Sequence, residues 1–249
     1  MSSSTTAVTS AARPAIDASG RMTAAAWLRV ALLAGLVAAL VTIAFELLVA
    51  ERVVDHTIAL EGAHEHAPLA VPEPFSRQGQ RGGLVLGELL LGCGIALLLA
   101  GAATFLGTRS RSPLRLWLLM GAAGLWAAVL LPALVYPPLP PGVASGLGID
   151  ERQLLYLVTI GLGLGGVAAA AHALALSRHR LPLVAASLLV PAAIALLALP
   201  GQEAAHTIAP GLLGEFRAVS IASQVLFWTT LIAIGALLLR RQRGPDSAG

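Results

Sequence analysis

Six long apolar runs constrain this chain more than any other feature of its sequence. A helix rises about 1.5 Å per residue, so roughly 20 apolar residues are needed to cross about 30 Å of hydrocarbon. Lipid offers no partners to backbone N–H and C=O groups, and the runs lack the alternation of a membrane β-barrel, so each is predicted to be helical. The sequence therefore predicts an all-α integral membrane protein, a polytopic bundle of about six transmembrane helices. The apolar runs cover residues 27–50, 83–107, 114–136, 154–177, 181–199 and 218–239.

Little of the chain is left to fold outside a membrane. Residues 1–26 are rich in Ser, Thr and Ala and are predicted to be a disordered tail, residues 27–239 form the transmembrane domain, and residues 240–249 form a second short tail. Hydrophobic residues make up 57% of the chain and charged residues 12%, a balance outside the range of soluble globular domains. The single cysteine, Cys93, excludes an intramolecular disulfide.

The arginines are sorted by the apolar runs. Eleven of the sixteen fall on one side of the predicted membrane and five on the other, and the chain contains no lysine. Because loops retained in the cytoplasm accumulate positive charge, both termini are predicted to be cytoplasmic. Although the net charge is +3, the arginines are scattered between apolar runs and form no basic face, so nucleic acid is not an expected partner.

The acidic residues and histidines crowd the opposite side. The first external loop combines imidazoles and carboxylates without a thiolate, a set that suits borderline divalent ions such as Co²⁺, Ni²⁺ and Zn²⁺. A second external loop adds a smaller donor pair, Glu203 and His206. The alternative is a hydrated acidic loop that binds nothing. The candidate metal ligands of the two loops are His56, His64, Glu65, His66 and His206.

Two carboxylates lie inside apolar runs. Glu46 is four residues from the end of the first run and Glu88 five residues from the start of the second, which places both about 6–8 Å below the external surface. An ionisable group there costs at least ~2–3 kcal/mol, so the pair is predicted to form a deeper cation site. Alternatively, both side chains reach up to interfacial water. His172, the only histidine within a run, is interpreted as a packing residue or a residue that hydrogen-bonds to another helix. The alternative is a metal ligand or a proton relay.

Enzymatic function is not expected. Without lysine there is no Walker A loop, His64-Glu65-His66 is not the H-E-x-x-H motif of a zinc protease, and no G-x-S-x-G motif occurs.

Close helix contacts are predicted at glycines four residues apart, Gly83 with Gly87 and Gly161 with Gly165.

Three segments of the sequence form a distinctive combination: Pro132–Gly142, Glu151-Arg152-Gln153 and Phe216–Trp228. Together they resemble the CbtA family of predicted bacterial cobalt transporter subunits. The resemblance spans residues 29–239, and the acidic, His-containing first loop of this chain also fits the family. It implies cobalt uptake across the bacterial inner membrane, no permanently bound cofactor, Co²⁺ as the substrate, and a small single-span, histidine-bearing partner called CbtB. That family is generally described with five spans, in which case the short run 181–199 would not cross.

We therefore expect a membrane subunit of a cobalt or divalent transition-metal uptake transporter. In this interpretation, external His, Asp and Glu side chains capture the ion, and Glu46 and Glu88 receive it at the entrance to the helical bundle. The alternative is a membrane scaffold or assembly factor that binds a partner protein through its acidic external loop.

Overall fold

The computed structural model describes residues 21–54, 77–107, 112–140, 146–176, 181–201 and 210–242. These residues contain six helices that are long and apolar enough to cross a bilayer, which confirms the predicted all-α membrane architecture. The 18-residue fifth helix is among them, so the described chain has six candidate spans where the family resemblance suggested five. The helices are α1 Ala24–Val54, α2 Arg77–Gly107, α3 Pro113–Val135, α4 Ile149–Leu176, α5 Leu181–Ala198 and α6 Pro210–Arg241.

Several helices begin before their apolar runs. At the bundle end where α1 and α3 finish, α2 begins at Arg77, α4 at Ile149 and α6 at Pro210, each ahead of the hydrophobic stretch. Hydropathy marks only the section that lies in hydrocarbon, whereas the backbone hydrogen bonds of a helix continue into the headgroup region. We call this end of the bundle, where α1 and α3 finish and α2, α4 and α6 begin, the Glu46 end.

Two helix starts at the opposite end carry side-chain caps. The hydroxyl of Thr23 accepts a 3.2 Å hydrogen bond from the backbone N–H of Ala26, at the start of α1. The hydroxyl of Ser112 accepts one of 3.4 Å from the N–H of Arg115, and Pro113 occupies the first turn of α3. Such caps satisfy N–H groups that have no partner within the helix, so these residues set where the two helices begin.

Helix α1 packs against both α2 and α6. Its contact face is built from small residues, including the fully buried Ala31, Ala34 and Ala38. At the crossing with α2, a Cβ atom added to Gly35 would lie 2.6 Å from the carbonyl oxygen of Gly92. Side chains larger than hydrogen are therefore excluded at this crossing, because backbone atoms approach closely.

The close helix contacts predicted at glycines four residues apart are wrong. A Cβ atom added to any of the four would meet nothing within 4 Å among the described residues. The four-residue spacing places two glycines on one helix face but does not specify that a second helix covers that face. These four glycines are Gly83, Gly87, Gly161 and Gly165.

Aromatic side chains fill the contact between α3 and α6. Trp117 is buried, and its indole N–H donates a 3.2 Å hydrogen bond to the carbonyl oxygen of Ile232. Phe227 and Trp228 of α6 pack edge to face, with ring centroids 6.2 Å apart. The indole bond satisfies a polar group that would otherwise be buried without a partner, so it fixes the position of α3 on α6.

Two helices contain a π-helical turn. In α1 it covers Glu46–Ala50, and in α3 it covers Trp126–Leu130, just before Pro132. Proline has no N–H, so the carbonyl of Ala128, four residues earlier, lacks its usual α-helical donor. The hydroxyl of Tyr156 on α4 donates to that oxygen at 3.0 Å. The irregular turn of α3 is therefore connected to α4 by a side-chain hydrogen bond.

Candidate functional site

A cavity of about 880 Å³ opens between five of the helices at the Glu46 end. Its walls come from α1, α2, α4 and α6, with Ala128 of α3 and Pro138 after it. The polar side chains stand among apolar ones that keep most of the wall hydrophobic. The polar or charged lining residues are Glu46, Glu51, Gln80, Arg81, Glu88, Tyr156, Ser220, Ser223 and Gln224.

Glu46 is the first residue of the π-helical turn of α1 and lines this cavity. Its Oε1 atom accepts a 2.6 Å hydrogen bond from the hydroxyl of Ser223 on α6. A carboxylate that accepts a short bond from a hydroxyl is held in one orientation. π-Helical turns are concentrated at functional sites, and here the turn begins at the residue that carries the charge.

Glu88 lines the same cavity from α2 and is half-buried. Its Oε2 atom is buried and has no hydrogen-bond partner among the described residues. Two carboxylates in one cavity of low polarity repel each other, and a cation held between them reverses the sign of that interaction. Glu46 and Glu88 thus line one cavity from two different helices, and their pairing as a cation site remains a prediction.

A salt bridge joins the ends of α1 and α2 beside these carboxylates. The guanidinium Nε of Arg81 donates to Oε1 of Glu51 at 2.5 Å, and both side chains line the cavity. Glu51 is only 17% exposed, while Arg81 is 51% exposed. The pair offsets one negative charge at the cavity rim, which leaves Glu46 and Glu88 as the carboxylates deeper in the wall.

The remaining polar groups are neutral and come mainly from α6. Ser220, Ser223 and Gln224 follow the i, i+3, i+4 spacing that places side chains on one helix face, and all three line the cavity. Hydroxyl and amide oxygens can complete the coordination of a cation held by carboxylates. Among the described residues, no group of three or more His, Cys, Asp or Glu side chains is placed to hold a metal ion.

All five predicted loop ligands lie outside the described residues. His56, His64, Glu65, His66 and His206 therefore remain predictions. His172 is exposed on α4 and lines neither of the two cavities at the Glu46 end.

Sequence reasoning missed the polar face of α6. The spacing of Ser220, Ser223 and Gln224 was visible inside an apolar run, and it was the signal that could have found these residues. The contribution of Tyr156 was not visible in this way, since its bond to Ala128 depends on a π-helical turn in another helix.

A second cavity of about 580 Å³ adjoins the first. Three residues, Pro138, Tyr156 and Phe216, line both cavities and form the wall between them. The backbone here is tied to α6, since Nε of Arg217 donates to the carbonyl oxygen of Pro138 at 3.4 Å. The other residues of the second cavity are Tyr136, Pro137, Leu139, Arg152, Gln153 and Leu157.

The segments that carried the family resemblance therefore meet in space. The proline-rich segment after α3, Arg152-Gln153 on α4, and the Phe216 to Trp228 stretch of α6 all supply walls of these two cavities. They are far apart along the chain, and the fold brings them to one end of the bundle.

The fold and the cavity define a polytopic helical membrane protein with an acidic, partly buried site at one end of the bundle. The family model described as CbtA, probable cobalt transporter subunit, matches residues 24–240. The chain belongs to this family, which confirms the resemblance seen in its sequence. Comparison with curated proteins and with solved structures finds no match.

Proposed function

We propose that this chain is the membrane subunit of a cobalt-uptake transporter and that the larger cavity receives the ion between Glu46 and Glu88. The observation that supports this proposal is the presence of two carboxylates from different helices in one cavity of about 880 Å³. Membership of a family of probable cobalt transporter subunits supports the choice of cobalt.

The ligand set suits an ion in transit. Two carboxylates with hydroxyl and amide oxygens hold a borderline ion such as Co²⁺ less tightly than a site of several imidazoles. Transport requires binding that is strong enough for entry and weak enough for release. The hydroxyl of Ser223 bonds to Oε1 of Glu46, and Oε2 of Glu88 has no partner among the described residues, so the latter oxygen can accept a cation.

The external loops would supply the first contact with the ion. His56, His64, Glu65 and His66 follow α1, and His206 precedes α6, so both groups are joined in sequence to the Glu46 end. If the arginine distribution sets the orientation, this end faces away from the cytoplasm and both termini lie inside a bacterial inner membrane. A divalent cation moving inward would then gain roughly 4.6 kcal/mol per 100 mV of membrane potential.

A partner subunit is part of the proposal. The halves of the described helices away from the cavity carry almost no ionisable side chains, so these helices offer no continuous polar path beyond it. A small single-span, histidine-bearing subunit of the CbtB type would supply polar groups for the rest of the path. The same observation favours the second candidate function, a scaffold or assembly factor that binds a partner through its acidic loop and moves no ion.

Dye-loaded liposomes separate the two functions. The purified protein is reconstituted, with and without the small partner, into vesicles that contain a cobalt-sensitive dye and hold an inside-negative potential. Cobalt entry is expected for the native chain with its partner and is expected to fall at least tenfold in Glu46→Gln and Glu88→Gln. Glu215→Gln is the matched control, since Glu215 is an exposed carboxylate of α6 that lines neither cavity.

The proposed role of the cavity would be overturned if the Glu46→Gln, Glu88→Gln double variant took up cobalt as fast as the native protein, with equal amounts of protein in the vesicles. No cobalt entry with the native chain and its partner, together with stable binding of that partner, would favour the scaffold.

A further inference from the structure

The second cavity holds a buried polar group that the proposed cation path does not use. Tyr136 is 5% exposed and lines this cavity, and its hydroxyl has no hydrogen-bond partner among the described residues. An unsatisfied buried hydroxyl costs free energy, so its presence in a cavity wall indicates a ligand that accepts or donates a hydrogen bond there. Burial and the nearby charge of Glu151 raise the pKa of Tyr136, so the hydroxyl stays protonated and can donate.

The other polar groups of this cavity are also donors. Arg152 presents a guanidinium, which donates only, and Gln153 presents an amide, which donates through its NH2 group and accepts through its oxygen. Three donors of which one is a permanent cation favour a ligand with anionic oxygens, and they disfavour a metal cation. Phosphate and carboxylate are the two groups whose geometry a guanidinium matches.

Depth in the membrane identifies the source of that anion. Helix α4 contains 28 residues, about 42 Å at 1.5 Å per residue, which exceeds the hydrocarbon thickness of about 30 Å. Arg152 is in the first turn of α4, ahead of the apolar run, so we expect it at the level of the lipid headgroups. Leu157 follows about 7–8 Å deeper, lines the same cavity and is 64% exposed.

Polarity thus changes along the cavity in the way that it changes along a phospholipid. Donors occur at headgroup level, and apolar walls from Leu139, Leu157 and Phe216 accompany them. The volume of about 580 Å³ is within the range of small-molecule sites. We propose that this cavity binds one phospholipid, with the phosphate held by Arg152, Tyr136 and Gln153 and an acyl chain against Leu157.

The proposal has a consequence for the first cavity. Pro138, Tyr156 and Phe216 separate the two cavities, so a bound lipid would support the wall that faces Glu46 and Glu88. The lipid site itself is inferred only from residues that line the second cavity. It does not depend on the proposed function, because the chain could bind the lipid even if it moved no ion.

Native mass spectrometry tests the site directly. The full-length chain is released from nanodiscs of phosphatidylglycerol and phosphatidylethanolamine, and the lipids retained after bulk lipid is stripped are counted. One retained lipid is expected for the native chain. Arg152→Gln is expected to weaken retention about ten- to a hundredfold, the effect of losing a charged hydrogen bond, and Tyr136→Phe to weaken it less.

Arg240→Gln is the matched control, because Arg240 lies in the last turn of α6 at the opposite end and is expected to keep the lipid. Tyr136→Phe preserves the ring, so it tests the site even if Arg152→Gln folds poorly. Equal retention by the native chain and both variants would overturn the proposal. A second outcome would also overturn the proposal by assigning the site to a soluble anion. In that outcome the native chain retains no lipid, and in lipid-free detergent millimolar inorganic phosphate stabilises the native chain but not Arg152→Gln.

Discussion

The hydroxyl of Ser223 donates a 2.6 Å hydrogen bond to the carboxylate of Glu46, across 177 residues of sequence. This bond joins α6 to the π-helical turn of α1, at the wall of the larger cavity. A carboxylate within an apolar run is costly unless it has a partner. Ser223, which is 3% exposed, is therefore both a packing residue and the group that holds Glu46 in place.

Replacing Ser223 with Ala is expected to destabilise the protein by about 1–3 kcal/mol, because a partly buried carboxylate loses a hydrogen bond. The measurement is thermal or denaturant unfolding of the purified chain in detergent. Ser220→Ala is the control, since Ser220 lines the same cavity while the bond to Glu46 comes from Ser223. If both variants unfolded like the native chain, the bond would contribute nothing to stability.

Replacing Gly35 with Ala is expected to destabilise the α1–α2 crossing by about 1–3 kcal/mol. Alanine gains up to about 1 kcal/mol in helix propensity, but its Cβ would lie 2.6 Å from the Gly92 carbonyl oxygen, a backbone atom that cannot rotate away. Gly94→Ala provides the control, because a Cβ there meets nothing within 4 Å in the described part of the chain. Unfolding in mixed micelles would measure both, and a Gly35→Ala variant at least as stable as Gly94→Ala would contradict the close crossing.

Tyr156 and Pro132 are expected to be energetically coupled. Tyr156→Phe removes the donor to the Ala128 carbonyl and is expected to cost about 0.5–1.5 kcal/mol. In a Pro132→Ala background, residue 132 regains an N–H that can donate to the same oxygen, so the cost should shrink. A double-mutant cycle of unfolding free energies measures this coupling. Additive losses would show that the tyrosine bond does not compensate for the proline.

Much of the fold was visible in the sequence because one physical requirement dominates it. A run of apolar residues long enough to cross a bilayer has almost no choice except a helix, so six candidate spans could be predicted and were found. The common depth of Glu46 and Glu88 also followed from counting residues along two helices, and the structure places both in one cavity.

The features that the sequence did not predict depend on which helix faces pack against each other and on local changes of backbone hydrogen bonding. Gly35 and Gly92 approach each other from different helices, and neither belongs to the glycine pairs that local spacing selected. The π-helical turns were also not predicted, because they shift backbone hydrogen bonds without changing hydropathy. The bond between Tyr156 and Ala128 follows from one such turn and from Pro132, so it required the structure.

Replacing His64 and His66 together with Ala is expected to reduce cellular cobalt accumulation, because imidazoles of the first loop would no longer capture the ion. His172→Ala is the control, since this exposed histidine of α4 lines neither cavity. Accumulation is measured by metal analysis of washed cells at equal protein level. Unchanged accumulation in the double variant would remove the loop from the uptake mechanism while leaving the cavity carboxylates to be tested separately.

Orientation is the last expectation, and uptake depends on it. Eleven arginines on one side against five on the other predict that the Glu46 end faces away from the cytoplasm. Two reporters are compared, one that is active only outside the cytoplasm and one that is active only inside it. Inserted after His66, only the first should be active; fused after Arg243, only the second should be active. The opposite pattern would place the acidic cavity on the cytoplasmic face, where the membrane potential would hold Co²⁺ instead of driving it onward. The cavity could then serve release or export, and capture from outside the cell would be excluded.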